Sequence, residues 1–294
     1  SNKEDATVLD MLTHQARFQP WIPFYKATLD SLNKPSEKYY RTRPTVEFQL
    51  KVAEDLYLRR DYNDTILKVI ANSELLPKKQ YKYSDFSFIL FKEYLERENG
   101  KSLEYLAENN FYKYLGATSL TYNPLHKFDK SIVIPTENDN YFRYQKVHGY
   151  VHDMAAAMQG GISGHAGLFS NALDIAKVMQ MYLQKGSYGG KQFITEETLQ
   201  KFNTCYFCKD GNRRGVGFDK PQLGNEGPTC GCVSLTSFGH TGFTGTMTWA
   251  DPEKEIVYVF LSNRTFPDSN ASNKLSKENI RENIQKVIYE SIIE

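Results

Sequence analysis

Two runs near the end of the chain, residues 246–250 and 256–262, are rich in β-branched and aromatic side chains and are joined by Asp251-Pro252-Glu253-Lys254. Runs of this kind around a short polar turn pair as an antiparallel hairpin. Directly upstream, Phe238-Gly239-His240-Thr241-Gly242-Phe243-Thr244-Gly245-Thr246 reads as a further strand that ends in small residues. Downstream, residues 276–293 carry apolar side chains at helical spacing with charges between them. A helix with one apolar stripe must bury it, and the neighbouring sheet is the surface at hand. The C-terminal part is therefore constrained to an antiparallel sheet with a helix packed on it, an α+β layout.

The middle of the chain reads as mostly helical. Residues 85–98 form a helix that stops at Asn99-Gly100, Ser102 caps another reaching Leu115, and residues 171–185 and 195–202 form two more. Residues 46–60 place Val46, Phe48, Leu50, Val52, Leu56 and Leu58 among charges and are expected to be helical. Residues 65–76 fit a helix or, through Ile66-Leu67-Lys68-Val69-Ile70, a strand. Residues 7–14 suggest a short helix, residues 19–43 a proline-marked loop, and residues 122–150 a polar, aromatic loop with one strand at Ile132-Val133-Ile134. The expected organisation is one domain over 1–294, with a mostly helical lobe near 45–185 and the sheet and last helix near 210–294.

Charge and hydropathy exclude several classes. Lys and Arg number 36 against 35 Asp and Glu, a formal net charge of +1, and the basic residues are scattered. No polyanion-binding field follows, so no nucleic-acid partner is expected. No apolar run is long enough to span a bilayer, and the N-terminus lacks a signal-peptide pattern. Aromatic content is high, with twenty tyrosines and eighteen phenylalanines. Packing accounts for most of them, and others are expected to rim a cleft for carbohydrate or peptide. No cofactor is expected.

The candidate chemistry centres on two segments. In His240-Thr241-Gly242-Phe243, a strand edge of small residues lets a substrate carbonyl or carboxylate approach the backbone without a clash. His240 as neutral imidazole could relay a proton, as imidazolium it could attract a carboxylate, or it could simply hydrogen-bond across the strand. Tyr83-Ser84-Asp85 stands just before the helix at 86–98. His148 and His152, four apart beside Asp153, have metal-ligand spacing if helical, but Gly149 weakens such a helix, and no metal site is expected there. Cys205-Tyr206-Phe207-Cys208 and Cys230-Gly231-Cys232 allow disulfides, free thiols or a four-thiolate zinc site. A disulfide ranks first, as a cross-link of the loop holding Gly211-Asn212-Arg213-Arg214-Gly215 and Gly224-Asn225-Glu226-Gly227.

These segments together resemble a known family. His240-Thr241-Gly242 is similar to the Lys-Thr-Gly element of penicillin-recognising serine hydrolases, and Tyr83-Ser84-Asp85 resembles their Tyr-x-Asn element. The stretch Gly160-Gly161-Ile162-Ser163-Gly164-His165-Ala166-Gly167-Leu168-Phe169-Ser170-Asn171-Ala172-Leu173-Asp174 resembles the glycine-rich turn and helix of the esterase-like, class C branch of β-lactamase-related proteins. Asp10-Met11-Leu12-Thr13-His14 resembles that branch's Leu-Leu-Thr-His segment. All four occur in the family's order, from Val8 to the end. Val151-His152-Asp153 ahead of the Gly-His-Ala-Gly-Leu-Phe-Ser run is similar to a subgroup that often stands behind a family-3 glycoside hydrolase. That subgroup is linked to peptidoglycan recycling, as an amidase cutting between N-acetylmuramic acid and its peptide.

The resemblance implies a β-lactamase/transpeptidase-like fold, an exported parent protein, and a small peptidoglycan-derived amide or ester as substrate. Tyr83 and His240 would be catalytic and would line one groove, with Asp85, Thr241, Gly242, Phe243 and His165 at the substrate. His240 takes the place of the family's lysine, and without that lysine Tyr83 is expected to stay neutral. The carboxylate of Asp85 cannot donate as the family's amide does. Phe243 would give one oxyanion N–H, and His165 would stabilise its turn while facing the cleft. The family's nucleophile sits in a Ser-x-x-Lys element upstream of Leu-Leu-Thr-His. The match here, Ser31-Leu32-Asn33-Lys34, lies downstream and runs into Pro35, which opposes a helix. The chain is thus expected to be the C-terminal portion of a serine-hydrolase domain, lacking its first strands and its nucleophile. Such a piece would be inactive alone and would self-associate or remodel its first forty residues over the bared sheet. A non-catalytic muropeptide- or glycan-binding module and an esterase are the alternatives.

Overall fold

The computed structural model describes residues 1–221, 227–269 and 274–292. Of the residues singled out above, Gly224, Asn225, Glu226 and Ile293 lie outside this set. In chain order the principal elements are α1 (Val8–Leu12), β1 (Tyr40–Arg41), β2 (Phe48–Ala53), β3 (Leu56–Arg59), α2 (Tyr62–Asn72) and α3 (Phe86–Asn99). They continue with α4 (Leu103–Ala107), which runs through a π turn (Glu108–Tyr112) into α5 (Lys113–Leu115). Then come β4 (Pro135–Asp139), β5 (Gln145–His148), α6 (Met154–Met158), α7 (Ala172–Leu183), β6 (Ser187–Tyr188), β7 (Lys191–Gln192) and α8 (Glu196–Asn203). The chain closes with β8 (Phe238–Thr241), β9 (Met247–Asp251), β10 (Ile256–Phe260), α9 (Lys274–Lys277) and α10 (Ile280–Glu290). Among the described residues every strand pair is antiparallel, and the class is α+β.

The chain divides into two compact units. The first holds residues 1–106, 121–169 and 265–269, and the second holds the remainder. In the first, residues 46–60 are not the expected helix but the hairpin β2–β3, with β1 added in the order β1-β3-β2. The spacing Phe48, Leu50, Val52 has period two as readily as it has helical period. Asp55, in the left-handed conformation at φ 49, turns the chain between the strands. Residues 65–76, open between helix and strand, belong to α2, whose Ile66 and Ile70, one turn apart, are fully buried. Ile132-Val133-Ile134 is not a strand. Asp129 caps a 3-10 turn over Lys130–Ile132, and pairing begins only at Pro135. Leu58, Ile66, Ile70, Phe86, Ile89, Phe142 and Met158 fill one core between these elements.

A buried charge network organises the β4–β5 hairpin. Arg143, in the turn between the strands, has a side chain with no exposure. Its Nη2 donates to Glu137 Oε1 at 2.6 Å and its Nε to Asp139 Oδ2 at 2.8 Å. Its remaining donors reach the carbonyls of Val151 (2.7 Å) and His152 (3.1 Å), so one side chain fixes both the hairpin and the loop leading to α6.

In the second unit the sheet runs β10-β9-β8. Alternate β9 residues face opposite ways. Ala250 packs with Phe238 and with Met179 of α7 on one face, whereas Met247 and Trp249 pack with Tyr258 on the other. Tyr258 Oη donates to Arg281 O and Tyr289 Oη to Asp251 Oδ2, which fastens α10 to the sheet. The expected single helix over 276–293 is two pieces, because Asn279 takes a left-handed conformation at φ 47 between α9 and α10. Disulfides join Cys205 to Cys208 and Cys230 to Cys232. They close short loops inside each motif and do not cross-link the loop between the motifs, as the sequence had suggested. The reason is proximity, with Cα atoms 5.5 Å and 5.2 Å apart within the pairs.

Removing the Arg143 guanidinium leaves two buried carboxylates without their cation. Arg143→Ala is expected to lower unfolding stability by about 3–5 kcal/mol, measured by urea denaturation at neutral pH. A loss below 1 kcal/mol would reject the clamp.

Candidate active site

Tyr83 and Asp85 lie in the first unit, His240 in the second. Tyr83 is held by a residue the sequence reading used only as a landmark. His14 is buried, and its ring lies 4.4 Å from that of Tyr83 at an interplanar angle of 31°. Its Nδ1 accepts the Ser84 N–H at 3.1 Å, which puts the ring proton on Nε2, and its carbonyl accepts the Lys82 N–H. His14 itself ends the α1 turn at φ 58. The segment 10–14 is thus a support for the Tyr83 turn, in which Tyr83 is 38% exposed.

Asp85 is the N-cap residue of α3, yet its side chain makes no capping bond. Its carboxylate instead lies with Asp153 and His165, all three groups having donor or acceptor atoms within 4.8 Å of one another. Asp153 caps α6 through Ala156 N (2.7 Å) and accepts His165 Nε2–H at 2.8 Å. Gly164 makes this meeting possible, since a Cβ there would come 2.2 Å from Phe88 O in the first turn of α3. Burial pushes the Asp85 carboxyl up to about 6, against the pull of His165 and with the push of Asp153. Burial also opposes the charge on His165 and on Asp153, but their mutual hydrogen bond and attraction win, so His165 is raised and Asp153 lowered.

This trio is the one grouping with metal-ligand spacing among the described residues. Its imidazole Nε2 is already committed to Asp153, so the trio is a hydrogen-bonded His165–Asp153 pair with the Asp85 carboxylate beside it. His148 and His152 are not brought into such a group. His148 sits on β5 with Nε2 at Val133 O, and His152 Nε2 is 3.5 Å from Glu137.

On β8, His240 Nε2 lies 2.8 Å from Arg214 Nη1, and its Nδ1 lies 2.6 Å from Thr241 O. Arginine only donates, so Nε2 accepts and Nδ1 carries the proton: His240 is a neutral imidazole with its lone pair taken up. Burial and then the Arg214 charge push its pKa down accordingly. Arg214 is held in turn by Asp219 Oδ1 at 2.7 Å, with Arg213 3.2 Å from Oδ2. The sequence reading missed Arg214. Its only signal was an Arg-Arg pair between glycines. Gly239 lets β8 lie against β9, because a Cβ would come 2.2 Å from Thr248 O and 2.3 Å from the Trp249 ring. Beyond Thr241 a tight turn closes with Gly242 N–H donating to Thr246 O, and Phe243 is exposed under the Arg264 guanidinium at 4.4 Å. Ser31 lies on an exposed turn, where the Asp30 carboxylate accepts Leu32 N–H and Lys34 N–H and Asn33 has φ 57. A helical Ser-x-x-Lys arrangement is not formed there.

An α+β chain with a small-residue strand end after His240 and a tyrosine turn at a helix start has the fold of the β-lactamases and penicillin-binding proteins. A family model described as Beta-lactamase matches residues 1–279, and the chain belongs to that family. A protein of Escherichia coli (strain K12) named "Putative D-alanyl-D-alanine carboxypeptidase" is 36% identical over 204 residues, 65% of this chain and 46% of that protein. One of the same name from Salmonella enteritidis PT4 (strain P125109) is 32% identical over 231 residues, 74% of this chain and 52% of that protein. The chain thus spans about half the length of the curated relatives it matches. Among solved structures, the octameric penicillin-binding protein homologue from Pyrococcus abyssi matches at TM-score 0.56 and 21% identity over 90% of this chain and 53% of that one. The penicillin binding protein from Bacillus halodurans matches at 0.57 and 14% over 89% and 70%. These structures share the fold.

The raised Asp85 pKa has a defined sign. Folded Asp85 ionises less readily than the ordinary 3.8, so the protein loses stability as pH rises from 3.8 to about 6 and is level above that. Asp85→Asn has no such loss. Relative to wild type it should gain stability through that window, by at most ~3 kcal/mol at neutral pH. Urea unfolding at several pH values reads this directly, and parallel curves for the two proteins would refute it.

Proposed function

We propose that this chain carries part of the site of a serine hydrolase acting on an amide of a peptidoglycan-derived peptide. The observation that carries this reading is family membership over residues 1–279 in a chain that keeps both the Tyr83 turn and the His240 strand. The names of the Escherichia coli and Salmonella relatives point to the same class of substrate. Within the class, Val151-His152-Asp153 and the Gly-His-Ala-Gly-Leu-Phe-Ser run favour N-acetylmuramoyl-peptide amidase action of the kind found beside family-3 glycoside hydrolases in an exported parent protein. The relatives' names favour release of a terminal D-alanine as the second reading.

In either case a serine from outside residues 1–294 attacks the amide carbonyl and the amine departs with a proton. The Thr241–Phe243 backbone lies along the acyl group, and Phe243 N–H meets the developing oxyanion. Tyr83 exchanges the proton between serine and leaving group. His240, whose Nε2 lone pair is engaged by Arg214, fixes the strand end and does not act as the base. Asp85 meets a remaining amide group of the substrate, and His165, whose ring nitrogens are engaged by Asp153 and Ser163, stands behind it. The exposed Ser31 turn and the half-length match to the relatives favour an external nucleophile. Self-association of the isolated segment follows from the same reading.

The test compares the longer protein containing this segment with residues 1–294 alone. Substrates are a muramoyl-peptide, a peptide ending in D-alanyl-D-alanine, nitrocefin and a p-nitrophenyl ester. The longer protein is expected to release the peptide from the muramoyl group, and Tyr83→Phe to lower that rate by about 10²–10⁴-fold. The segment alone is expected to show neither turnover nor labelling by a fluorescent penicillin. D-Alanine release would select the carboxypeptidase reading, ester turnover alone the esterase. Binding of the muramoyl-peptide without turnover by the longer protein would leave a non-catalytic module. Penicillin labelling at Ser31 would overturn the external nucleophile.

A further inference from the structure

His165 sits in a hydrogen-bond chain whose donors and acceptors can be counted. Gln159 Nε2 donates to Ala155 O at 3.2 Å, which turns its Oε1 toward Ser163. Ser163 Oγ donates its one proton to that Oε1 at 3.2 Å. Ser163 Oγ is also 2.9 Å from His165 Nδ1, and with its proton already placed it must accept there. Nδ1 therefore carries a proton. On the other side of the ring, Nε2 lies 2.8 Å from an Asp153 oxygen that also accepts Ala156 N–H, so Nε2 carries a proton as well. Both nitrogens donate, and the ring is an imidazolium. Its side chain is 3% exposed and Asp153 is 33% exposed, so the cation is enclosed and its partner reaches solvent.

We propose that His165 stands as an imidazolium at neutral pH and is the positioning residue that presents Asp85, beside Tyr83, as an ionised hydrogen-bond acceptor. This rests on the reading that the Tyr83 turn faces substrate. The carboxylates facing the ring are Asp153 ahead of α6 and Asp85 at the start of α3, the His152 imidazole stands beside Asp153, and Ser163 and Gln159 are neutral. One cation among two carboxylates leaves the cluster with a net charge of about −1 when Asp85 is ionised. A carboxylate at 85 takes an N–H donor, an amide hydrogen or an ammonium, where an asparagine could also have donated to a carbonyl. In mild acid Asp85 gains a proton and with it the donor that asparagine has. The position therefore changes its preference from N–H to C=O groups as pH falls.

Nitrogen-15 NMR of the imidazole rings tests the first step without any substrate. Both His165 nitrogens are expected to be protonated at pH 7, with Ser163→Ala lowering the ring's titration midpoint. Carbon-13 titration of Asp85 tests the second. In His165→Gln the Asp85 midpoint should rise above its value near 6 by about one to three pH units, because the nearby cation is gone. A His165 ring with a single protonated nitrogen at pH 7 would overturn the proposal. So would an Asp85 midpoint unmoved in a folded His165→Gln protein. Should that variant fail to fold, the wild-type ring spectrum alone decides. Absence of hydrolysis by the longer protein would strike the functional reading and leave these titrations intact.

Discussion

The first unit depends on one enclosed guanidinium. Arg143 answers two buried carboxylates, Glu137 and Asp139, and spends its other donors on the carbonyls of Val151 and His152. The next residue is Asp153, which caps α6 and holds His165. The path from a buried ion pair to the candidate site is therefore a few covalent bonds long. Isolated buried ion pairs are poor sources of stability, since desolvation offsets attraction. Their value lies in direction: a planar fork with fixed donors allows few alternative arrangements of the loop it grips. That accounts for a charge cluster so deep in the fold, where an apolar core of equal volume would hold the hairpin as well but would not fix the aim of Asp153.

Much of this was legible in the sequence, and the losses have physical causes. The helices expected over 85–98, with its stop at Asn99-Gly100, and over 171–185 form at 86–99 and 172–183. The β8–β9–β10 sheet was marked by its own turn chemistry. Residues 46–60 misled because Phe48, Leu50 and Val52 satisfy two periodicities, and the arbiter was Asp55, an ordinary acidic residue taking a left-handed turn. The β4–β5 hairpin was invisible because its strands carry Glu137, Asp139 and Gln145 on faces that a local reading assigns to solvent. Arg143 pairs with the two buried carboxylates, and a tertiary ion pair has no local signature. The family motifs were legible as strings. Their supports were not, since His14 and Tyr83 are far apart in sequence, as are Arg214 and His240.

In the second unit the same logic runs through a sheet. Trp249 is almost wholly buried, with its indole N–H given to Ser237 Oγ. Gly239 lies against its ring. A side chain at 239 would push β8 off β9 and tilt the strand end that carries Thr241 and Gly242. Core packing and the small-residue strand end are thus one constraint seen from two sides.

Two departures from the family's motifs are coupled to their surroundings in the same way. On the proposed reading, His240 replaces a lysine and Asp85 replaces an asparagine, and each change makes its position more negative by about one charge. Each is met by a buried cation one contact away: Arg214 at His240, and His165 within reach of Asp85. Arg214 is itself aimed by Asp219, and His165 by Asp153. At His240 the positive charge is relocated from the strand to a neighbour, whereas at Asp85 a neighbouring cation answers a carboxylate where the motif has a neutral amide. A relocated charge acts differently from the original. A lysine on the strand would offer a mobile ammonium, whereas a guanidinium or imidazolium fixed by a carboxylate offers a field of set direction and little proton mobility. On the proposed reading each motif would lean on oriented hydrogen bonds more than on a free basic side chain, and His240, with its Nε2 lone pair engaged by Arg214, would not be the base.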